Sequence, residues 1–156
     1  MNEPSLLQQE IKQRAFRSSA QEATIAILRT ADVLRRTIGA LLEPHGVTMQ
    51  QYNVLRILRG SFPDPLPTLE IGERLIEQTP GVTRLLDRLE EKGLVRRARC
   101  TEDRRLVHCW ITPAGLELLA ELDPVADEAD ERLGDSFEPA ELRQLIALLE
   151  RVRRQL

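Results

Sequence analysis

Apolar and polar residues alternate along the first third of the chain with the period of an α-helix. From Ala20 an apolar or small residue returns at intervals of four and three positions, at Thr24, Ile27, Ala31, Leu34, Ile38 and Leu41. This spacing predicts one stripe along a long helix near residues 18–43. The helix should end at the segment 43–46, Glu-Pro-His-Gly, because proline disfavours helical backbone before it and glycine supplies a turn.

Two shorter helical patterns follow. The first begins after Thr48 and the second at Thr68, because each threonine hydroxyl can cap the first turn. The segment 60–67 between them holds three prolines and one glycine, which predicts a loop. The apolar positions of the two helices are Met49, Val54, Leu55 and Leu58, and then Leu69, Ile71, Leu75 and Ile76.

A strongly amphipathic helix is predicted next. Thr79 as N-cap and Pro80 at the first helical position favour its start, because the missing proline N–H would be unpaired there. Gly93 should end it. Its apolar face consists of Val82, Leu85, Leu86 and Leu89, and its polar face of Thr83, Arg84, Asp87, Arg88 and Glu91.

A β-hairpin is predicted directly after this helix. Residues 94–100 and 106–112 read as two short strands joined by a charged connection. Val107, Cys109 and Ile111 alternate towards a core, so His108 and Trp110 should face the other way. The connection carries the four charged residues Glu102, Asp103, Arg104 and Arg105.

The remaining pattern predicts two helices. Thr112-Pro113 repeats the cap-plus-proline start, Pro124 should kink the helix, and Gly134 should end it. A last helix from about Pro139 carries Leu142, Leu145, Ile146, Leu149 and Val152 on one face. The order is therefore four helices, a hairpin and two helices, which predicts a mainly α fold.

Composition and charge narrow the class of protein. The 156 residues, 42 % apolar and 30 % charged, predict a single globular domain over 1–156. The sequence has no apolar run long enough for a membrane span and no signal-peptide pattern, so we expect a cytoplasmic protein without a membrane partner. The net charge of −3 hides segregation: residues 78–108 hold eight Lys and Arg against five acids, whereas 117–141 hold ten acids and one arginine.

Two short helices followed directly by a hairpin indicate a winged helix-turn-helix. The geometry suits duplex DNA, because a major groove about 12 Å wide admits one helix while the hairpin reaches phosphates or the adjacent groove. We therefore expect residues 79–92 to enter the major groove and the wing at 101–106 to contact the backbone or the minor groove.

The ordered motifs also resemble the MarR family of bacterial transcription regulators. The resemblance runs through Gly46-Val47-Thr48 with Gln51, Ile71 to Leu75, Val82 to Val95, Asp103-Arg104-Arg105, and Ile111 to Gly115. It implies a winged helix-turn-helix lobe over 48–112, flanked by dimerisation helices at 18–43 and 113–155. It also implies a homodimer that binds a pseudo-palindromic duplex operator, represses, and is released by a small ligand or an oxidant. Residues 1–17 form an extension that the resemblance does not place.

The same resemblance assigns candidate DNA-binding residues. Arg84 is expected to contact a base, since guanidinium pairs with guanine O6 and N7, and Arg88 to contact phosphate. Asp103 matches the acid that holds the geometry of the wing arginine. Pro80 and Gly81 depart from the small hydroxyl residues of many relatives. The full candidate set is Thr79, Pro80, Gly81, Thr83, Arg84, Arg88, Asp103, Arg104 and Arg105, with His45 and Tyr52 as candidates for a ligand pocket.

Other functions have weaker support in the sequence. Cys100 and Cys109 suggest a redox sensor or simple packing, and the oxidation-sensing relatives carry their cysteine near the N-terminus instead. The histidines and cysteines lack metal-ligand spacing, and no catalytic or cofactor motif occurs, so we expect no metal, no cofactor and no enzyme. The alternative function is a winged-helix protein–protein adaptor, in which the basic patch contacts an acidic protein instead of DNA.

Overall fold

A computed structural model of the chain describes residues 3–156. The chain divides into two compact units with the boundary between Leu41 and Leu42. The first unit contains a short helix α1 (Leu6–Glu10) and most of α2 (Ser19–Leu42). Five residues are too few to show a helical period, so α1 was not predicted. No helix within residues 3–156 is long and apolar enough to cross a membrane.

The end of α2 follows the prediction. A short 3₁₀ helix (Glu43–His45) comes directly after it, and Gly46 has a φ of +73°, the left-handed backbone that glycine adopts without strain. Thr48 then begins α3 (Met49–Ser61) as its N-cap, in a reciprocal pair of hydrogen bonds with Gln51. Both boundaries are therefore confirmed.

The segment before α4 (Thr68–Arg74) differs from the prediction. Residues Leu66–Pro67 form a short strand, β1, where the sequence predicted only loop. The N-cap of α4 is Pro67, so the prediction that Thr68 caps this helix is wrong. β1 lies at the edge of the sheet, which suits Pro67 because proline has no N–H to donate to a further strand.

The next helix, α5 (Val82–Glu91), starts two residues later than predicted. Its first helical hydrogen bond runs from Leu85 N to Gly81 O, and Gly81 is the N-cap. Thr79 and Pro80 therefore do not start the helix as predicted; the Thr79 hydroxyl instead accepts from Gly81 N at 3.4 Å. Gly93, with a φ of +70°, ends α5 as predicted.

A three-stranded antiparallel sheet follows in the order β1-β3-β2, with β2 at Val95–Arg99 and β3 at Val107–Ile111. Val95 pairs with Ile111, Arg97 with Cys109 and Arg99 with Val107. Cys109 and Ile111 are buried, as the alternation predicted, whereas Val107 is only half-buried. On the opposite face the Arg96 guanidinium lies 4.1 Å from the centre of the Trp110 ring.

The chain ends with α6 (Pro113–Gly134) and α7 (Pro139–Arg153). The Thr112 hydroxyl caps α6 by accepting from Gly115 N, and it donates to Gly93 O at 2.7 Å. Gly115 has to be glycine, because a Cβ there would lie 2.4 Å from Leu94 O. α6 continues through Pro124 to Gly134.

One apolar core holds the second unit together. Helices α3, α4 and α5, the sheet and the first half of α6 all contribute fully buried side chains. The mainly α fold with a small β wing is therefore confirmed. The largest of these side chains are Leu55, Leu58, Ile71, Leu86, Leu89, Leu119, Leu122, Val54 and Cys109.

Candidate nucleic-acid interface

Helix α5 has one buried face and one face in solvent. Leu85, Leu86 and Leu89 are buried, and α3 and α4 both pack against this helix. Thr83, Arg84 and Arg88 are exposed on the opposite face. The core thus holds the helix in place while its polar face remains available to a partner.

The cations of that face are free of partners within the chain. Over residues 3–156 neither Arg84 nor Arg88 forms an ion pair, although Asp87 and Glu91 lie three positions further along the same helix. Asp87 and Glu90 are engaged by Arg97 of β2 instead. Intrahelical ion pairs therefore do not neutralise the two arginines.

The start of α5 is open to close approach. Pro80 and Gly81 are exposed, Thr79 is half-buried, and no side chain in the described part of the chain caps the helix. Beyond the neighbouring residues, a Cβ at Gly81 would meet only the Thr79 hydroxyl, at 3.8 Å. Backbone N–H groups at a helix N-terminus favour anions, so this end suits a phosphate.

The wing tip, residues 101–106, is exposed, and two of its backbone N–H groups donate to Asp103. Asp103 Oδ1 accepts from the backbone N–H of Arg105 at 2.9 Å, and Leu106 N donates to Asp103 O at 3.0 Å. Asp103 therefore holds the main chain of Arg105. The side chains of Arg104 and Arg105 form no ion pair anywhere in residues 3–156.

Arg97 joins the base of the wing to α5. Its guanidinium contacts Glu90 Oε2 at 2.8 and 3.1 Å and Asp87 Oδ1 at 2.5 Å, and its backbone N–H donates to Glu90 Oε1 at 2.8 Å. The hydrogen bond from Arg97 lowers the pKa of Glu90, although burial partly opposes it. The ion pairs of Arg97 with Asp87 and Glu90 were not predicted from the sequence. The one indication is that Arg97 pairs with Cys109, whose side chain faces the core.

The two cysteines lie in different surroundings. Cys109 is fully buried, and this burial raises the pKa of its thiol to about 12. Cys100 is half-buried at the end of β2, and both cysteines are free thiols. No cluster of metal-ligating side chains occurs within residues 3–156.

Of the two candidate ligand residues, His45 lines a cleft. This open cleft has a volume of about 320 Å³, and Lys92, Glu117 and Glu121 also line it. Tyr52 lies on α3, where its hydroxyl accepts a hydrogen bond from Arg56 Nη1 at 2.9 Å.

Comparisons with known proteins agree with this architecture. The model of the MarR family matches residues 47–107. A MarR transcription factor from Planctomyces limnophilus is 38 % identical, with 87 % of this chain and 98 % of that chain covered and a TM-score of 0.67. AbsC, a MarR family regulator from Streptomyces coelicolor, is 25 % identical, with 91 % and 97 % covered and a TM-score of 0.81.

A third similar structure is that of S. aureus MepR in a complex with DNA. It is 24 % identical, 85 % of this chain and 97 % of that chain are covered, and the TM-score is 0.79, which shows a shared fold. Together with the identity to the Planctomyces limnophilus protein over nearly its whole length, these matches show that the chain belongs to the MarR family of transcription regulators.

Proposed function

We propose that this chain is a homodimeric repressor that binds a pseudo-palindromic site on double-stranded DNA. The observation that carries the proposal is the state of its cations. Arg84 and Arg88 on α5 and Arg104 and Arg105 on the wing are exposed and unpaired within residues 3–156, while Arg97 engages Asp87 and Glu90 of α5. Four unpaired guanidiniums on a helix and an adjoining wing match the charge of a DNA duplex.

Each candidate residue has a specific role in this proposal. Arg84 contacts a guanine edge in the major groove and Arg88 a phosphate, while Thr83 lies beside them. The open start of α5 at residues 79–81 approaches the backbone. Arg104 and Arg105 extend into the neighbouring minor groove or along its phosphates, on a turn held by Asp103. MepR, whose fold this chain shares, was solved in a complex with DNA, which supports DNA as the partner.

The dimer is supported by apolar surface that the chain leaves uncovered. No residue of α7 is buried by the described part of the chain. Apolar side chains protrude from α7 and also from α2, namely Leu145, Ile146, Leu148 and Val152, and Leu28, Val33 and Leu34. A second copy of the chain would cover them through the helices at 18–43 and 113–155, outside the DNA-binding lobe at 48–112. Two-fold symmetry then places the two half-sites roughly 34 to 36 Å apart.

The acidic stretch 117–141 lies on α6, the connection to α7 and the first turn of α7. Its charge repels phosphate, so we place it away from DNA, where it helps to orient docking. A small ligand would release the repressor by binding the form that does not fit DNA. The cleft at His45 and the surface at Tyr52 are the candidate regions for that ligand.

A titration of the purified protein against duplexes that flank its own gene tests the proposal. We expect a complex with one duplex that tolerates excess random DNA and weakens steeply with salt, because bound cations release counterions. Light scattering on the same sample should give a dimer. A confirmed dimer that binds no flanking duplex above random DNA would contradict the proposal and favour the adaptor function.

A further inference from the structure

Arg97 is the most heavily bonded cation of the DNA-binding lobe. It lies on β2, its side chain is only 18 % exposed, and it holds Asp87 and Glu90 of α5 through the bonds given above. Arg84, Arg88, Arg104 and Arg105 carry the same charge in full solvent. The group is therefore built into the protein and is not itself available to DNA.

The position of Arg97 in the sheet explains what the contact does. β2 is an edge strand, since the order is β1-β3-β2, and its outward N–H groups have no further strand to pair with. The carboxylate of Glu90 takes that place for the N–H of Arg97 at 2.8 Å. Arg97 thus attaches the base of the wing to the Glu90 carboxylate twice, through its backbone N–H and through its guanidinium. Because there are two bonds, the wing cannot rotate about one without straining the other.

Small movements at this point would be large at the wing tip. β2 ends at Arg99, two positions beyond Arg97, which is about 7 Å along the strand at ~3.3 Å per residue, and the tip at 101–106 lies further out. A rotation of about 10° at the base would then displace the end of β2 by about 1 Å and the tip by more, which is enough to weaken a hydrogen bond. The bonds of Arg97 therefore set whether α5 and the wing reach the same stretch of DNA together.

We propose that Arg97 is a positioning residue: through Asp87 and Glu90 it fixes the wing relative to α5. Arg84 of α5 and Arg105 of the wing can then contact one half-site simultaneously. This inference rests on the proposed DNA-binding function. It assigns to Arg97 an effect on DNA affinity without any contact between Arg97 and DNA.

A double-mutant cycle distinguishes positioning from direct contact. The substitution Arg97→Met keeps an unbranched side chain and removes the guanidinium bonds to Asp87 and Glu90, while the backbone N–H of residue 97 can still donate to Glu90. We expect it to weaken specific binding roughly tenfold, comparable to the loss of one contact. Combined with Arg105→Ala, the loss should be well below the product of the two single losses, because the misplaced wing has already lost its contact. Combined with Arg84→Ala, the losses should multiply. Independent losses with Arg105→Ala would overturn the proposal.

Two controls keep the result interpretable. Arg132→Met removes an arginine that is also paired, with Glu128 at 2.6 Å, but on the acidic α6, and it should leave DNA affinity unchanged. Urea unfolding of each variant shows that the compared samples are folded at the assay temperature. An Arg97→Met protein that is folded and binds DNA as the wild type does would also overturn the proposal.

Amide hydrogen exchange provides a measurement without DNA. Arg97→Met and Glu90→Ala should both speed exchange at the amides of residues 97, 100 and 106, because the wing base loses its attachment. Unchanged exchange at these amides would overturn the inference by itself. If the wild-type protein binds no duplex while the exchange rates change as expected, the proposed function fails and the attachment of the wing to α5 stands.

Discussion

Helices α5 and α7 are both amphipathic, α5 more strongly, and the surroundings of their apolar faces differ. In α5, ten residues long, Leu85, Leu86 and Leu89 are buried against the rest of the lobe. In α7, fifteen residues long, no side chain is buried, and Ile146 is 55 % exposed. The apolar face of α5 is therefore covered by other elements of the same chain. Within residues 3–156 no residue of α7 is buried in this way, and in our proposal a second copy of the chain covers its apolar face.

The comparison also separates two tasks of an amphipathic helix. The polar face of α5 carries unpaired arginines, so its core packing serves to present charge. The polar face of α7 does not by itself indicate a charged partner. Its Arg151 and Arg153 lie in the last turn, where they complement the helix dipole at the C-terminus. We therefore expect substitutions on the apolar face of α5 to unfold the chain, and those on the apolar face of α7 to separate chains.

The largest effect is expected at Leu86, which is fully buried. Leu86→Ala should lower the free energy of unfolding by about 2–5 kcal/mol, through lost burial and the cavity left behind. Urea denaturation followed by circular dichroism measures this. Thr83→Ala on the exposed face of α5 is the control and should change stability by less than about 0.5 kcal/mol. Equal effects of the two substitutions would show that α5 has no buried face.

The next effect concerns α7. Ile146→Glu should weaken the dimer by about 2–4 kcal/mol, because a charge replaces an apolar side chain at the centre of the proposed interface. Sedimentation velocity over a range of protein concentrations reports the shift to monomer. Arg143→Glu, an exposed polar position of the same helix, should leave the dimer intact. A dimer that survives Ile146→Glu unchanged would place the interface elsewhere.

The third effect tests the polar face of α5. Arg84→Ala should cost about 1–3 kcal/mol on the specific duplex and relax the preference for one base pair. Arg105→Ala should weaken all duplexes alike and reduce the salt dependence by about one counterion. Fluorescence anisotropy on matched and single-mismatch duplexes measures both. If both variants lost the same affinity on every duplex, the roles assigned to α5 and the wing would be wrong.

The smallest expected effect on stability lies in α6. Its first half is partly buried like α5, and its second half is exposed like α7. Its buried residues, Gly115, Leu119 and Leu122, all precede Pro124. At this boundary Asp123 accepts two hydrogen bonds from Arg59 of α3, at 2.8 and 2.9 Å. The bond from Arg59 lowers the pKa of Asp123, so its stabilisation is present above the usual carboxyl pKa and is lost as pH falls through the lowered value.

Asp123→Asn should therefore lower stability at pH 7 by about 0.5–1 kcal/mol, a small value because both partners are partly exposed. The difference from wild type should shrink below about pH 4, where the unfolded chain takes up the proton. Urea midpoints between pH 7 and pH 3 measure it, with Asp130→Asn in the exposed half of α6 as the control. A difference that stays constant over this range would exclude a contribution from the Arg59–Asp123 pair.

The elements that the sequence predicted correctly are those whose cause is local. The caps at Thr48 and Thr112 and the helix end at Gly93 depend on hydrogen bonds or backbone angles within a few residues. The predicted caps at Thr68 and Thr79 are wrong. Pro67, before Thr68, pairs in β1 with the distant β3 and is itself the N-cap of α4, and Pro80-Gly81 forms a turn that delays the start of α5.

The candidate site shows the same division. Helical periodicity predicts that Arg84 and Arg88 are exposed. The hairpin pattern predicts that Arg104 and Arg105 lie at an exposed tip. The pairing of Arg97 with Asp87 and Glu90 was not predicted, because a strand arginine can face either the helix before it or solvent.

By itself, the sequence determined the longer helices and the two wing strands, the apolar face of each, and the family that the order of motifs resembles. Only the tertiary structure decided that Leu66 pairs with Cys109, 43 positions away, and that Arg97 rather than Arg84 or Arg88 holds Asp87 and Glu90 of α5. The physical reason is the separation along the chain between the groups that interact. Local hydrogen bonds form between neighbours in sequence, whereas the choice between an ion pair and a free charge depends on which surfaces the core brings together.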